Sequence, residues 1–327
     1  MKAAIYGQFQ QPVSIQKVPD PTPSPNAVVI KVEATGLCLS DWHGWMGHDP
    51  DIVLPNVPGH ELAGIIVAVG TSVKKWKPGQ RVTVPFVGGC GKCEQCRSDN
   101  QQVCDHQFQP GFTAWGSFAQ FVEIKYADEN IVAIPDDMDF VSAASLGCRF
   151  ITAYRAVRDQ GNLRSDQFIA IHGCGGVGLS AIQIARALGA IVIAIDRTEE
   201  KCSLARELGA DFTINANTTK VVEAVQELSK GGVHLSINAL GHAGSCINSL
   251  ESLRKRGRHV QVGLMTGAHA KPEIPMSLII AKELELVGSH GMQAHGYPAM
   301  FNLMQSAGID VSKMVKKTIS LEQVPEY

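Results

Sequence analysis

Nine cysteines are present, and four of them, Cys90, Cys93, Cys96 and Cys104, form a C-x2-C-x2-C-x7-C array with Gly89 and Gly91 loosening the turn. Four thiolates at that spacing suit a closed, tetrahedral structural zinc, which prefers sulfur and keeps no open position. An iron–sulfur cluster is the rival chemistry. Against it, the fourth cysteine comes later than in the bacterial ferredoxin run and is followed by Asp105, not proline. A more scattered set consists of Cys38-Leu39-Ser40-Asp41-Trp42-His43, Gly59-His60-Glu61 and Cys148. A catalytic zinc takes three protein ligands and leaves a fourth position for water or substrate. Cys38 and His60 end β-type segments where loops can converge, and Cys148 stands where the texture of the chain changes. By spacing alone, each serves equally well as a packing residue or a satisfied polar group. Cys174, Cys202 and Cys246, inside the second half, are assigned to packing.

A third candidate is Gly173-Cys174-Gly175-Gly176-Val177-Gly178, which satisfies GxGxxG. The pattern alone is weak, but here it follows a buried-type strand and opens a helix with Val177, Ile182, Ala185 and Leu188 at helical spacing. Gly173 permits a tight turn, Gly175 lets the backbone approach a pyrophosphate, and Gly178 lets helix and strand pack closely. Asp196, ending the next strand, can accept hydrogen bonds from a ribose diol and repel a 2′-phosphate, which favours NAD over NADP. Arg197 tempers this preference, because a neighbouring arginine can partner that phosphate.

These residues need elements to hold them. Up to about residue 148 the chain is β-rich: Lys2–Ile5, Val13–Lys17, Val28–Glu33, Leu62–Val69, Arg81–Pro85 and Phe118–Ile124 are Val- and Ile-rich stretches bounded by turn residues. The proline-rich run from Pro19 to Pro25 is an extended connector. A partly closed β-barrel is the economical arrangement. After Phe150, strands (168–171, 191–195, 212–214, 235–238, 259–262, 284–287) alternate with helices (177–188, 199–208, 221–228, 246–253). Gly189 and Gly209 sit at helix ends where a left-handed cap is wanted. This alternation predicts βαβ units and a doubly wound parallel sheet of six strands. One further helix is expected near 298–306.

Composition fits a globular enzyme: 45% hydrophobic, 18% charged, with 29 basic residues against 31 acidic ones. No basic face is advertised for nucleic acid. No apolar run approaches a membrane span, and MKAAIYGQFQ does not read as a signal peptide. A cytoplasmic location follows, where thiols stay reduced and cysteines are better explained as ligands than as disulfides.

Taken together, Gly36-Leu37-Cys38-Leu39-Ser40-Asp41, Gly59-His60-Glu61-Leu62-Ala63-Gly64, the four-cysteine lobe and Gly173–Gly178 resemble the zinc-dependent alcohol dehydrogenases of the medium-chain dehydrogenase/reductase family, over almost the full length. The resemblance implies an α/β two-domain fold. A GroES-like β-barrel catalytic domain (1–149) would carry the zinc lobe (90–104), followed by an NAD-binding Rossmann domain (150–289). A C-terminal segment (290–327) would return to the catalytic domain. It implies two zinc ions per chain: Cys38, His60 and Cys148 match the catalytic ligands, and Cys90, Cys93, Cys96 and Cys104 the structural ones. Glu61 matches an acid that can approach the metal, and Asp41 a carboxylate orienting the ligand histidine. Ser40 matches the hydroxyl at the substrate oxygen and His43 the outer end of a proton relay. Thr152 matches a residue beside the nicotinamide, and Lys201 a lysine near the adenosine ribose. The cofactor-binding set is then Gly173, Gly175, Gly176, Val177, Gly178, Asp196, Arg197, Lys201, Thr152 and Val262. Phe86 and Trp115 are candidate pocket walls, with Trp42 and Trp45 as further choices.

The implied activity is hydride transfer between an alcohol and NAD, giving an aldehyde or ketone, by a homodimer or homotetramer acting on a small molecule. Polyol, amino-alcohol and other secondary-alcohol dehydrogenases are alternatives, as are a zinc-free quinone-reductase-like protein and a non-catalytic nucleotide-binding one. Joint retention of Cys38, Ser40, His43, His60 and Cys148 argues against the zinc-free readings. Two departures stand out. Leu39 occupies a position where several relatives place a basic residue against the cofactor pyrophosphate. The chain also stops at Tyr327, short of the helix and closing strand that relatives carry, which predicts either an unpaired strand edge or a tail supplied by something else.

Overall fold

A computed structural model describes residues 1–327. The chain divides into two compact units, one of Met1–Ile151, Gly291–Phe301 and Asp310–Tyr327, the other of Thr152–His290 and Asn302–Ile309. Residues 302–309 of the C-terminal segment thus group with the second unit. No helix is long and apolar enough to cross a membrane.

The first unit is built on strands β1 (Lys2–Ile5), β2 (Ser14–Lys17), β3 (Val28–Gly36), β4 (Glu61–Val69), β5 (Arg81–Thr83), β6 (Phe121–Ile124) and β7 (Val132–Ala133). Strands β1 and β2 form an antiparallel ribbon, and the others a five-stranded antiparallel sheet in the order β6-β3-β4-β5-β7. The ribbon docks on the sheet through Ala4 N–H to the Phe118 carbonyl and Gln120 N–H to the Lys2 carbonyl. Val28, Ile30, Leu62, Ile66, Val82, Val84, Val122 and Ile124 close over one core, each under 3% exposed. β-Branched residues dominate because they pack well on a pleated surface. The two-residue strand β7 escaped sequence reading, being too short to show alternation.

The second unit holds β8 (Phe168–His172), β9 (Ile191–Asp196), β10 (Phe212–Asn215), β11 (Val233–Asn238), β12 (Leu253–Gln261) and β13 (Glu285–Gly288). All pairings are parallel, in the order β10-β9-β8-β11-β12-β13. Helices Gly176–Ala187, Glu199–Glu207, Val221–Leu228 and Ala243–Glu251 make the crossovers. Gly189 and Gly209 take positive φ of 78° and 108° just past the first two. The fourth helix is a correction: it ends at Glu251, and Leu253, expected inside it, opens β12 instead. The highly charged Arg254-Lys255-Arg256-Gly257-Arg258 hides the strand, which pairs there only after a register shift and with Arg256 at φ 60°. A helix at Met276–Lys282, none of it buried, was also not anticipated.

Candidate metal centres and cofactor site

Cys38, His60 and Cys148 offer one donor atom each, all within 4.8 Å of one another. Local structure explains why. Cys38 caps the helix Leu39–Trp45, and Asp41, in its first turn, accepts the Cys38 N–H at 2.9 Å. His60 directly precedes β4 and is fully buried. Cys148 lies in a π-helical turn, Leu146–Phe150, the kind of one-residue bulge that recurs at functional sites. Its Sγ stands 4.0 Å from that of Cys38.

Asp41 is 6% exposed and serves two of these residues at once. Its Oδ1 accepts the Gly59 N–H at 3.0 Å and lies 3.0 Å from His60 Nδ1. With the proton held on Nδ1 by the carboxylate, the lone pair of Nε2 is left for a ligand. That buried Nε2 has no hydrogen-bond partner. Hydrogen bonding from Cys148, with help from His60, pulls the Cys38 thiol well below its usual range despite burial. Cys148 is pushed well above by the same bond and by burial. Burial opposes charge on His60, but Asp41 and Cys38 raise it well above the ordinary histidine range. Two sulfurs and an unpartnered imidazole nitrogen, with charge already drawn to one thiolate, are the donor set zinc binds, displacing protons as it does so.

The second cluster is Cys90, Cys93, Cys96 and Cys104, again within 4.8 Å. The Cys90–Cys96 and Cys93–Cys104 sulfurs are 4.0 and 3.6 Å apart. A tetrahedron with ~2.3 Å zinc–sulfur bonds has edges of about 3.8 Å, so the cage is of the right size. Backbone N–H groups point at the sulfurs: Lys92 and Cys93 toward Cys90, and Cys90 and His106 toward Cys104, at 3.3–3.4 Å. Such donors favour thiolate. Backbone hydrogen bonding at Cys96 lowers Cys93 to about 6, while burial lifts Cys96 to about 12.

Around the first cluster, Ser40 Oγ lies 3.7 Å from Cys38 Sγ. Ser40 and His43 are three residues apart on one helix and so share a face. His43 Nδ1 lies 2.9 Å from Nδ1 of His48, and Trp42 stacks edgewise on both rings. Phe86 approaches His60 with ring centroids 6.1 Å apart, but Phe112 is nearer at 5.3 Å. Trp115 is 40% exposed and donates its indole N–H to the Pro55 carbonyl, while Trp45 donates to Gln11. Glu61, fully buried, is held by Arg149 through a 2.5 Å ion pair. Leu39 is 68% exposed. Phe112, His48 and Arg149 were missed in the sequence. Only Arg149 carried a signal, a charge set beside Cys148 in an otherwise apolar run.

In the second unit, Gly173 has φ 103°, and a Cβ on Gly178 would fall 1.7 Å from the Gly173 carbonyl oxygen. Nothing lies within 4 Å of a Cβ built on Gly175, at the N-terminus of the helix Gly176–Ala187. That open ground beside free helix N–H groups is a cradle for a phosphate. Asp196, 4% exposed, ends β9. Its two oxygens accept the N–H of Cys174 and of Arg197, both at 2.7 Å, and Lys201 Nζ is 3.7 Å away. Arg197 turns its Nε to Asn217 at 3.1 Å. Thr152 Oγ1 is buried without a partner, and Val262 donates its N–H to Asn238.

Residues 24–136 match the family model for the alcohol dehydrogenase GroES-like domain, and 176–306 the zinc-binding dehydrogenase model. An alcohol dehydrogenase of Geobacillus stearothermophilus is 36% identical over 266 residues, 81% of this chain and 77% of that one. Among solved structures, alcohol dehydrogenase TADH from Thermus sp. ATN1 superposes with a TM-score of 0.92 at 30% identity, covering 100% and 95% of the two chains. A zinc-binding dehydrogenase of Sinorhizobium meliloti 1021 bound to NADP gives 0.90 at 30% identity, covering 99% and 94%.

Proposed function

The chain belongs to the zinc-binding alcohol dehydrogenase family, and from that premise we propose that it interconverts a small alcohol with its aldehyde or ketone, using NAD and two zinc ions. The observation that carries the reading is the convergence of Cys38, His60 and Cys148 on one point, with His60 Nε2 buried and unpartnered. Cys38, His60 and Cys148 would hold the catalytic ion, and Cys90, Cys93, Cys96 and Cys104 the structural one. When bound, zinc supplies a Lewis acid for the substrate oxygen and the nicotinamide accepts the hydride.

The protein's own groups do the rest. Asp41 keeps the His60 proton on Nδ1, so that Nε2 stays a donor to the metal. The Ser40 hydroxyl accepts the substrate's proton as it releases its own outward, and His43, on the same helix face with His48 at its Nδ1, stands at the outer end of that path toward solvent. Phe86 and Phe112 wall the ring of His60 and keep water from it. In the other unit, the turn from Gly173 to Gly178 binds the cofactor diphosphate, and the Thr152 hydroxyl awaits a partner on the nicotinamide side. Asp196 accepts from the ribose diol, flanked by Lys201. NAD is favoured because the Asp196 carboxylate would face a 2′-phosphate at close range, while Arg197 is engaged by Asn217. All nine cysteines are free, as suits a reducing compartment such as the cytoplasm. A dimer or tetramer is the assembly expected in solution.

The test is elemental analysis with a substrate panel. Purified protein should carry two zinc ions, and primary, secondary, aromatic and polyol alcohols should be assayed with NAD and NADP. Cys38→Ser should lose one zinc and turnover while retaining NAD binding, and Asp196→Gly should shift the efficiency ratio toward NADP. A wild-type chain with zinc only at the four-cysteine site would end the catalytic reading.

A further inference from the structure

Each proposed ligand has a chain neighbour that joins a second, parallel set of contacts. Leu37 precedes Cys38, Glu61 follows His60, and Arg149 follows Cys148. Arg149 reaches both others. Its backbone N–H and Nε donate to Glu61 Oε1 at 3.3 and 3.1 Å, and Nη2 donates to Oε2 at 2.5 Å. The same Nη2 makes a longer contact, 3.5 Å, with the Leu37 carbonyl.

The surroundings are shaped around this arrangement. The Glu61 side chain has no exposure and that of Arg149 only 21%. A Cβ at Gly36 would lie 2.1 Å from Glu61 Oε2, so only glycine admits the carboxylate there. A Cβ at Gly147 would sit 3.1 Å from the Val84 carbonyl and 3.3 Å from Glu61 Cα, so the turn bearing Cys148 rests tightly on the segment bearing His60. A fully buried carboxylate is tolerated only when paired and hydrogen-bonded. Arginine's planar fork can do this in two directions at once, whereas lysine's single ammonium cannot.

We propose that Arg149 is a positioning residue: by gripping Glu61 and the Leu37 carbonyl it fixes the three ligand-bearing segments in register, and so sets the metal affinity of the Cys38–His60–Cys148 site. The proposal rests on that site being a zinc site. It also assigns Glu61 a standing task, as the anchor for Arg149, distinct from approach to the metal. Outer-shell partners of metal ligands are worth about 10–100-fold in affinity.

The experiment is chelator competition on the full chain, with the four-cysteine zinc as internal control. It compares wild type, Arg149→Met, Arg149→Lys, Glu61→Gln and the Arg149→Met/Glu61→Gln double variant. Arg149→Met is expected to weaken the three-ligand site about 10–100-fold and leave the four-cysteine site unchanged. Arg149→Lys should fall between it and wild type. The double variant should lose little more than the worse single, since both remove the same contacts. In parallel, the visible spectrum of cobalt placed in the three-ligand site should broaden in Arg149→Met and recover in Arg149→Lys. Unchanged or tightened metal binding in Arg149→Met, as would follow if Glu61 swung onto the metal, overturns the proposal, and so do strictly additive losses. If Arg149→Met does not fold, the lysine variant and Glu61→Gln decide alone, and wild-type affinity in both refutes it. Absence of metal from the three-ligand site in wild type defeats the functional reading itself, a distinct outcome.

Discussion

Asp41→Asn tests most directly whether one buried carboxylate organises the three-ligand site. Asp41 accepts three hydrogen bonds, from Cys38 N–H, Gly59 N–H and His60 Nδ1. Asparagine has one oxygen and one NH2, so it cannot serve both sides. If its oxygen stays with Gly59 and His60, the NH2 meets the Cys38 N–H, donor against donor, leaving a buried N–H unsatisfied at a cost of about 1–3 kcal/mol. If the amide flips, its NH2 faces His60 Nδ1, which must become an acceptor, and the ring proton moves to Nε2. That is the nitrogen a metal needs. Either rotamer therefore damages the site by a different route. The expected outcome is a loss of zinc affinity at the three-ligand site of about 10–100-fold, with a lower melting temperature in the zinc-free protein. Chelator competition gives the first quantity and thermal unfolding by circular dichroism the second. Zinc affinity equal to wild type, in a variant that folds, would refute the claim that Asp41 fixes the His60 tautomer.

Two further predictions concern the second unit. Gly178→Ala would place a methyl 1.7 Å from the Gly173 carbonyl oxygen, a backbone atom that cannot step aside without moving the turn. NAD binding by calorimetry should be lost while both zincs remain, and binding at wild-type strength would show that the turn does not hold the phosphates. His259 is 3% exposed, and burial pulls it from 6.5 to about 4. A depressed histidine favours the fold fully above pH 6.5, and that stability is lost as pH falls toward 4. The loss is about 3 kcal/mol at ~1.4 kcal/mol per unit. Urea unfolding between pH 7 and 4 should show that slope on top of the one from buried His172, itself pulled down to about 3, and His259→Gln should make the profile shallower; an equal slope in the variant would reassign the effect.

Much of this was legible in the sequence because it is written in local terms. The GxGxxG turn, the aspartate ending β9 and the alternation of apolar runs are each set by residues a few positions apart. The parallel sheet follows from them. The four-cysteine lobe is legible for the same reason. What stayed hidden depends on contacts far apart in the chain. Arg149 meets Glu61 across 88 residues, and Phe112 reaches His60 through a loop with no periodicity to place it. The π turn at Leu146–Phe150 left no signature, since nothing in Leu-Gly-Cys-Arg-Phe distinguishes it from an ordinary helical turn. At β12, charge outvoted pattern: three consecutive exposed basic residues, Arg254, Lys255 and Arg256, interrupt a strand in which Leu253 and Val260 are fully buried.

The first unit is discontinuous along the chain, and that bears on how the protein is made. Its core includes Met292, Tyr297 and Met300, none of them exposed, all encoded after nearly the whole second unit. Between Ile151 and Gly291 lie 139 residues, which a ribosome adding about 5–20 residues per second needs roughly 7–28 s to traverse. Through that interval Cys38, His60 and Cys148 have all been synthesised, yet part of the core of their unit is missing. The burial of Tyr297, whose phenol is pushed well above its usual range by that burial and by nearby Cys148 and Glu61, comes last. The nascent chain thus carries the Cys148 thiol well before Tyr297 can pack near it, so thiol-reactive chemistry would find it more readily during synthesis than in the finished protein.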